Sequence, residues 1–333
     1  MEKKIALIKI IMIFCLMLLI IFDSSTAAES VINSMHNCIF SVIPGMFPLL
    51  FLGIALSADL QKIRFPYLEK ILHIPDHTFG LFLVGLFCGY PTGAKLLNNA
   101  VNNGSIDQEN AKRMQIFCNN ASPAFIIGVL SAVFSNMWLA ILVWIIQIFS
   151  SLLLGILLPN SFSNNTSTFR AKPLSLGNAL SESLKAMSVI CGWIIIFGFI
   201  LSYANTLLHY IESDIAITFL HGIFELTNGF LVLPCIYNPS LRLIIGNILL
   251  SFGGFCVFLQ TYSVAPELTN RYYLAGKIMH ASVSATLAAV VSFFIFPNNE
   301  NIPQCIPLLL CTIMLWYMIL HFNKKRVAIN TTL

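Results

Sequence analysis

Charge is what this sequence has least of. Asp, Glu, Lys and Arg make up 10% of its 333 residues, 57% are hydrophobic, and the mean hydropathy is +0.84. A soluble domain carries about 25% charged residues, so the chain reads as an all-α polytopic membrane protein embedded in a lipid bilayer. Familiar chemical signatures are missing too. The nine cysteines (15, 38, 88, 118, 191, 235, 256, 305 and 311) include no C-x-x-C pair. That argues against a disulfide frame or a thiolate metal site and leaves them as small packing residues. There is no G-x-S-x-G, no Ser/Lys or paired-Asp arrangement at intramembrane-protease spacing, and no P-loop. Neither an enzyme nor a resident cofactor or metal is expected, and transport would not be powered by an ATPase domain in this chain. The net charge of +4 comes mostly from loop Lys and Arg, which bears on topology and not on nucleic acid.

Apolar stretches of about 20 residues, enough to span a bilayer, fall at 5–22, 37–57, 79–101, 116–134, 137–158, 187–208, 215–236, 241–262, 272–296 and 304–322. The first follows Lys3-Lys4 and precedes the small-residue patch Ser24 to Ala28, as in a signal peptide. Its apolar stretch exceeds the usual roughly 7–15 residues, so an uncleaved anchor helix is expected. Ten simple spans with the N-terminus inside would leave Lys95, Lys112, Arg113, Arg170, Lys172, Lys185 and Arg242 at or near the outer surface. Cytoplasmic loops should hold the Lys/Arg excess. Reading 79–101 and 215–236 as re-entrant hairpins removes the conflict. Only Arg242 of the 18 basic residues then lies outside, and Lys277 is counted among the cytoplasmic ones. The expectation is about eight transmembrane helices plus two re-entrant hairpins, with both termini cytoplasmic.

Each half then becomes span, hairpin, span, span, entered from opposite faces. Val42-Ile43-Pro44-Gly45 echoes Val189-Ile190-Cys191-Gly192, and Gly85-Leu86-Phe87 echoes Gly222-Ile223-Phe224. Inverted repeats of this kind are a transporter signature. The expected organisation is an N-terminal anchor (1–34), a first repeat (35–158), a cytoplasmic linker with an interfacial amphipathic helix (159–186), a second inverted repeat (187–298) and a C-terminal span with a basic tail (299–333).

Candidate solute ligands gather where the apolar runs break, because irregular backbone at membrane depth must be buried in protein or line a wet cavity. The first tip, Gly89-Tyr90-Pro91-Thr92-Gly93, offers Tyr90, Thr92 and the backbone at Gly93; a Pro-kinked plain span is the simpler reading. Lys95, one helical step on, either snorkels to the cytoplasmic surface or neutralises a substrate carboxylate. Asn119, Asn120 and Ser122 precede Pro123, which suits a first helical position. A helix start there aims free N–H groups and a positive dipole end at an anion, unless it is an ordinary surface cap. The mirror tip holds Thr227 and Asn228, preceded by Glu225, the only acid within the apolar runs. Ionisable groups in membrane are costly and usually functional, although an outer-surface position would solvate this one. Ser251, Gly253 and Gln260 form the second-half counterpart of the Ser-Pro break, where glycine permits an unwound backbone or close helix packing. His221 and His280 read as hydrogen-bonded packing residues.

GYPTGAKLL followed by CNNASPAFIIG, with SFGGFCVFLQTYS later, resembles the YlbJ family of sporulation integral membrane proteins, also called stage V sporulation protein SpoVV, which carries the nucleoside-recognition Gate domain. The first two motifs are the more specific, and the likeness covers about residues 35–322. The resemblance implies a protein of endospore-forming bacteria placed in the outer forespore membrane and associated with moving dipicolinic acid toward the spore. It also implies architectural kinship to concentrative nucleoside transporters, so a nucleoside-type solute is the alternative. A structural protein of the spore envelope is a third reading. The resemblance supplies no substrate residues, and oligomeric state, coupling ion and flux direction stay open.

Overall fold

The computed structural model describes residues 2–158, 174–208 and 210–296. The expected linker segment 159–173 and the last expected span, 304–322, lie outside the described residues. Every regular element within them is helical: α1 (Glu2–Phe22), α2 (Ser24–Asn37), a π-helical turn (Cys38–Val42), α3 (Ile43–Leu60), α4 (Pro66–Leu72), α5 (Phe79–Cys88), α6 (Thr92–Asn102), α7 (Gln108–Cys118), α8 (Pro123–Phe134), α9 (Met137–Leu157), α10 (Leu176–Leu208), α11 (Asp214–Phe224), α12 (Leu226–Val232), a 3-10 turn (Leu233–Cys235), α13 (Pro239–Phe252), α14 (Gly254–Val264) and α15 (Arg271–Ile295). Among the described residues six stretches are long and apolar enough to cross a membrane: Ser24–Leu60, Gln108–Phe134, Met137–Leu157, Leu176–Asn205, Pro239–Val264 and Arg271–Ile295.

Two expectations are corrected. Residues 23–36, expected as an outer loop, are helical and run on through the π-turn into α3, so the boundary drawn at 34/35 cuts a continuous rod. Their polar, small side chains hide a helix that is held by packing. Asp23 caps it by accepting from Thr26 N (3.2 Å), and Tyr203 of α10 donates its hydroxyl to Asp23 O (2.8 Å). A Cβ on Gly198 of α10 would run into Ser34, so small residues let the two rods approach. The expected interfacial helix 174–185 is likewise not separate. It is the start of α10, which continues without a Gly or Pro break for 33 residues, about 50 Å at the α-helical rise.

The segments expected as hairpins are pairs of short helices. α5 has ten residues, about 15 Å, half of a hydrocarbon core of about 30 Å. It stops at Gly89, whose φ of +81° is a glycine conformation. A Cβ on Gly85 would run into the Cys118 carbonyl and come within 3.2 Å of Gly93 Cα. α5, α6 and the end of α7 therefore meet backbone to backbone. The second pair repeats this: a Cβ on Gly229 of α12 would run into Gly222 Cα of α11.

Contacts across the molecule follow a pattern of exchange. α3 touches α10, α9 touches α15, α7 touches α15 while α13 touches α9, and α6 touches α14 while α12 touches α8. Swapping each element of residues 43–157 with its counterpart in 176–295 maps this set onto itself. Outside lie large apolar side chains such as Phe149, Phe293 and Phe294, suited to lipid. Inside lie small and polar ones, and α15 buries Gly276, Lys277, His280, Ser284 and Ala288 on one face.

Candidate functional site

The breaks expected as site elements fall between α5 and α6, α7 and α8, α11 and α12, and α13 and α14, and they are buried. α7 ends at Cys118, residues 119–122 are irregular, and α8 begins at Pro123 with Ser122 as its cap, accepting from Phe125 N at 3.2 Å. Tip one rests on this break, since a Cβ on Gly89 would lie 2.9 Å from Ser122 N. In the second half α13 stops at Gly253 (φ +85°) and α14 starts at Gly254 (φ +79°). Two glycines there supply the left-handed backbone that side chains rarely adopt.

Tyr90 packs in the same apolar cluster as Leu226 and Phe230 of α12. It lies within electrostatic range of Glu225, Tyr273 and Cys256. Glu225, 3% exposed, is not solvated at an outer surface. Its carboxylate accepts from Thr227 N (3.0 Å) and Asn228 N (2.7 Å) and so caps α12. Thr227 and Asn228 thus meet Glu225 through their backbone amides.

From Tyr273 a continuous polar seam runs through the core. Asn119, fully buried, donates Nδ2 to Tyr273 OH (2.7 Å) and Thr261 Oγ1 (3.1 Å). Its carbonyl accepts from Lys277 Nζ (3.1 Å), and Nζ also meets His280 Nδ1 at 3.2 Å. His280 Nε2 reaches Ser150 Oγ (2.8 Å), and Ser150 Oγ donates to Gln147 O (2.9 Å). Ser151 Oγ donates to Asn120 Oδ1 (3.1 Å), closing the seam on the 119–122 break. Since the lysine nitrogen donates to Nδ1, the network assigns the ring proton to Nε2.

Several polar atoms of this region have no hydrogen-bond partner: Tyr90 OH, Thr92 Oγ1, Asn119 Oδ1, both amide atoms of Gln147, and Ser251 Oγ. Each unmade bond at a buried group costs about 1–3 kcal/mol, so such groups ordinarily have water or a ligand. Gln147 lies one turn before Ser150 and Ser151, on the same face of α9. A cavity of about 280 Å³ lies elsewhere, lined by apolar residues of α11 and α13 and one face of α15, and is not part of this seam.

Not every expected ligand converges. Lys95 neither snorkels freely nor lies in the seam; Nζ pairs with Glu182 Oε2 (2.8 Å) and Glu182 O (2.9 Å), tying α6 to α10. Gly93 acts through close approach to Cys118 and Asn119. Gln260 donates Nε2 to Cys256 Sγ (3.3 Å) within α14, and Gly253 forms the α13–α14 turn. Arg113 is no loop charge either: it donates to the carbonyls of Leu72, His73, Gly155 and Leu158 at the ends of α4 and α9.

Lys277 is the principal residue sequence reasoning misplaced. Counted with the cytoplasmic basic residues, it is 1% exposed inside a membrane-spanning helix. The pattern Tyr273, Lys277, His280, Ser284 places four polar residues along one helical face, and that signal was available. Ser150, Ser151 and Gln147 carried no comparable mark.

The chain is 23% identical over 283 residues to the sporulation integral membrane protein YlbJ of Bacillus subtilis (strain 168), a match covering 69% of this chain and 68% of that protein. No family model and no solved structure matches. The chain is a membrane protein homologous to a sporulation integral membrane protein.

Proposed function

We propose that this protein carries a small polar solute across a membrane during sporulation, by alternating access of two inverted repeats around the buried seam. The observation that carries the reading is the set of unpartnered polar atoms at Tyr90, Thr92, Asn119, Gln147 and Ser251, deep among lipid-crossing helices. Unwound backbone and half-helix starts at the midplane are how transporters build solute sites. The repeat reading rests on the exchange pattern of contacts and on the Lys/Arg distribution across the expected loops. Dipicolinate is the solute to try first, because the resemblance above implies it; the forespore outer membrane is the corresponding location. The seam's direction favours transport over catalysis. With Nε2 donating to Ser150, His280 is not placed to take that hydroxyl's proton, as a general base must.

Purified protein in liposomes should accumulate labelled dipicolinate and ignore nucleosides. Uptake of nucleosides alone would remove dipicolinate and favour the alternative solute class. No uptake of either, with correctly inserted protein, would favour a structural role in the spore envelope. Topology is tested separately by single cysteines at Asn99→Cys and Tyr237→Cys. The first should label from the cytoplasmic face and the second from outside; labelling of position 99 from outside would overturn the re-entrant hairpins.

A further inference from the structure

We propose that Lys277 is the cationic centre of a carboxylate-binding subsite, and that the solute is therefore an anion held at this side chain. The proposal deepens the transport reading and rests on it. An ammonium group has three N–H donors. Lys277 Nζ meets two acceptors, Asn119 O and His280 Nδ1, and both are uncharged. Among the described residues no carboxylate lies within ion-pair distance of it, whereas Lys62, Lys95, Lys112 and Lys185 each have one.

A charge taken into low dielectric without a counter-charge is strongly disfavoured, and buried charges are normally paired. Glu225 does not fill the role. Its oxygens accept from the amides of Thr227 and Asn228, and no ion pair joins it to Lys277. The chain thus builds a desolvated cation and leaves one donor uncommitted. Across the seam stands a fully buried amide, Gln147, whose Nε2 is an unpartnered donor; the unpartnered Asn119 Oδ1 and Gln147 Oε1 are acceptors, which water and not a carboxylate would satisfy. A carboxylate supplies the charge Lys277 lacks and acceptors for the Gln147 amide. Neutralising a substrate carboxylate was one of the two readings of Lys95, but Glu182 already pairs with it. Among the described residues Lys277 is a fully buried cation with no carboxylate within ion-pair distance.

The test uses the full-length protein in detergent, with pyridine-2,6-dicarboxylate and its uncharged diamide as matched probes. Wild type should be thermally stabilised and should bind the dicarboxylate, with little response to the diamide. Lys277→Met should weaken dicarboxylate binding roughly ten- to a hundredfold, the range of one charged hydrogen bond. Lys277→Arg should retain part of it, and Lys62→Gln, at an exposed pair, should match wild type. Unchanged dicarboxylate affinity in a monodisperse Lys277→Met protein overturns the proposal. Where that variant does not fold, the wild-type comparison decides, and equal responses to the charged and neutral probes overturn it. Transport of dipicolinate by wild type together with an unaffected Lys277→Met protein would reject the subsite and keep the transporter. Probe binding that depends on Lys277, without any uptake in liposomes, would do the reverse.

Discussion

Apart from α4, which has no counterpart, the two halves place helices in the same order, yet they finish their broken helices differently. In the first half α6 starts at Thr92 with no side-chain cap, while α8 is capped by Ser122. In the second half the assignment is reversed: α12 is capped by Glu225 and α14 starts bare at Gly254. The bare helices α6 and α14 touch each other, and so do the capped helices α8 and α12. Elements related by exchange are therefore not chemically equivalent. One diagonal has its helix starts capped by protein side chains, and the other has no side-chain cap.

The largest expected effect separates the halves at their glycines. A methyl on Gly85 meets the Cys118 backbone carbonyl, which cannot move without the whole break. A methyl on Gly222 meets only the end of the Leu249 side chain. Gly85→Ala should destabilise by about 3 kcal/mol and Gly222→Ala by about 1 kcal/mol, read as thermal unfolding in detergent. Equal losses would mean that the two hairpins are packed alike after all.

A smaller effect tests the capped diagonal. Glu225→Ala removes two acceptors from α12 and should cost about 2 kcal/mol, against about 1 kcal/mol for Ser122→Ala. Hydrogen exchange at the first turns of α12 and α8 would read the difference locally. Faster exchange at α8 than at α12 would invert the assignment. The smallest effect concerns Gly45 and Gly192, the echoed pair, at which an added Cβ meets nothing within 4 Å. Alanine at either should stabilise by about 0.5 kcal/mol, the entropic cost of glycine in a helix. A loss at one of them would reveal a neighbouring chain seated against that face.

Much of the architecture was legible because apolar runs and their interruptions are local signals. Gly89-Tyr90-Pro91, Asn119 to Pro123 and Gly253-Gly254 all stop helices where the sequence says they should. The polar stretch at 23–36 and the start of α10 were misread, because a helix packed on another helix through Ala27, Ser34 and Gly198 needs no apolar run of its own. Site residues divided along the same line. Of the candidates, Tyr90, Thr92, Asn119 and Ser251 sit at breaks, which the sequence marks. Lys277, Ser150 and Gln147 sit within unbroken helices; burial alone sets Ser150 and Gln147 apart there, and Lys277 is also marked by the polar face it shares with Tyr273, His280 and Ser284.

Backbone contact at Gly85, Gly93 and Cys118 has a mechanical consequence. With no side chains interposed, there is nothing compressible between the hairpin and the crossing it leans on, so neither can slide without carrying the other. The alternating access proposed above would therefore have to swing this block as a single lever, with the give at joints on its margins.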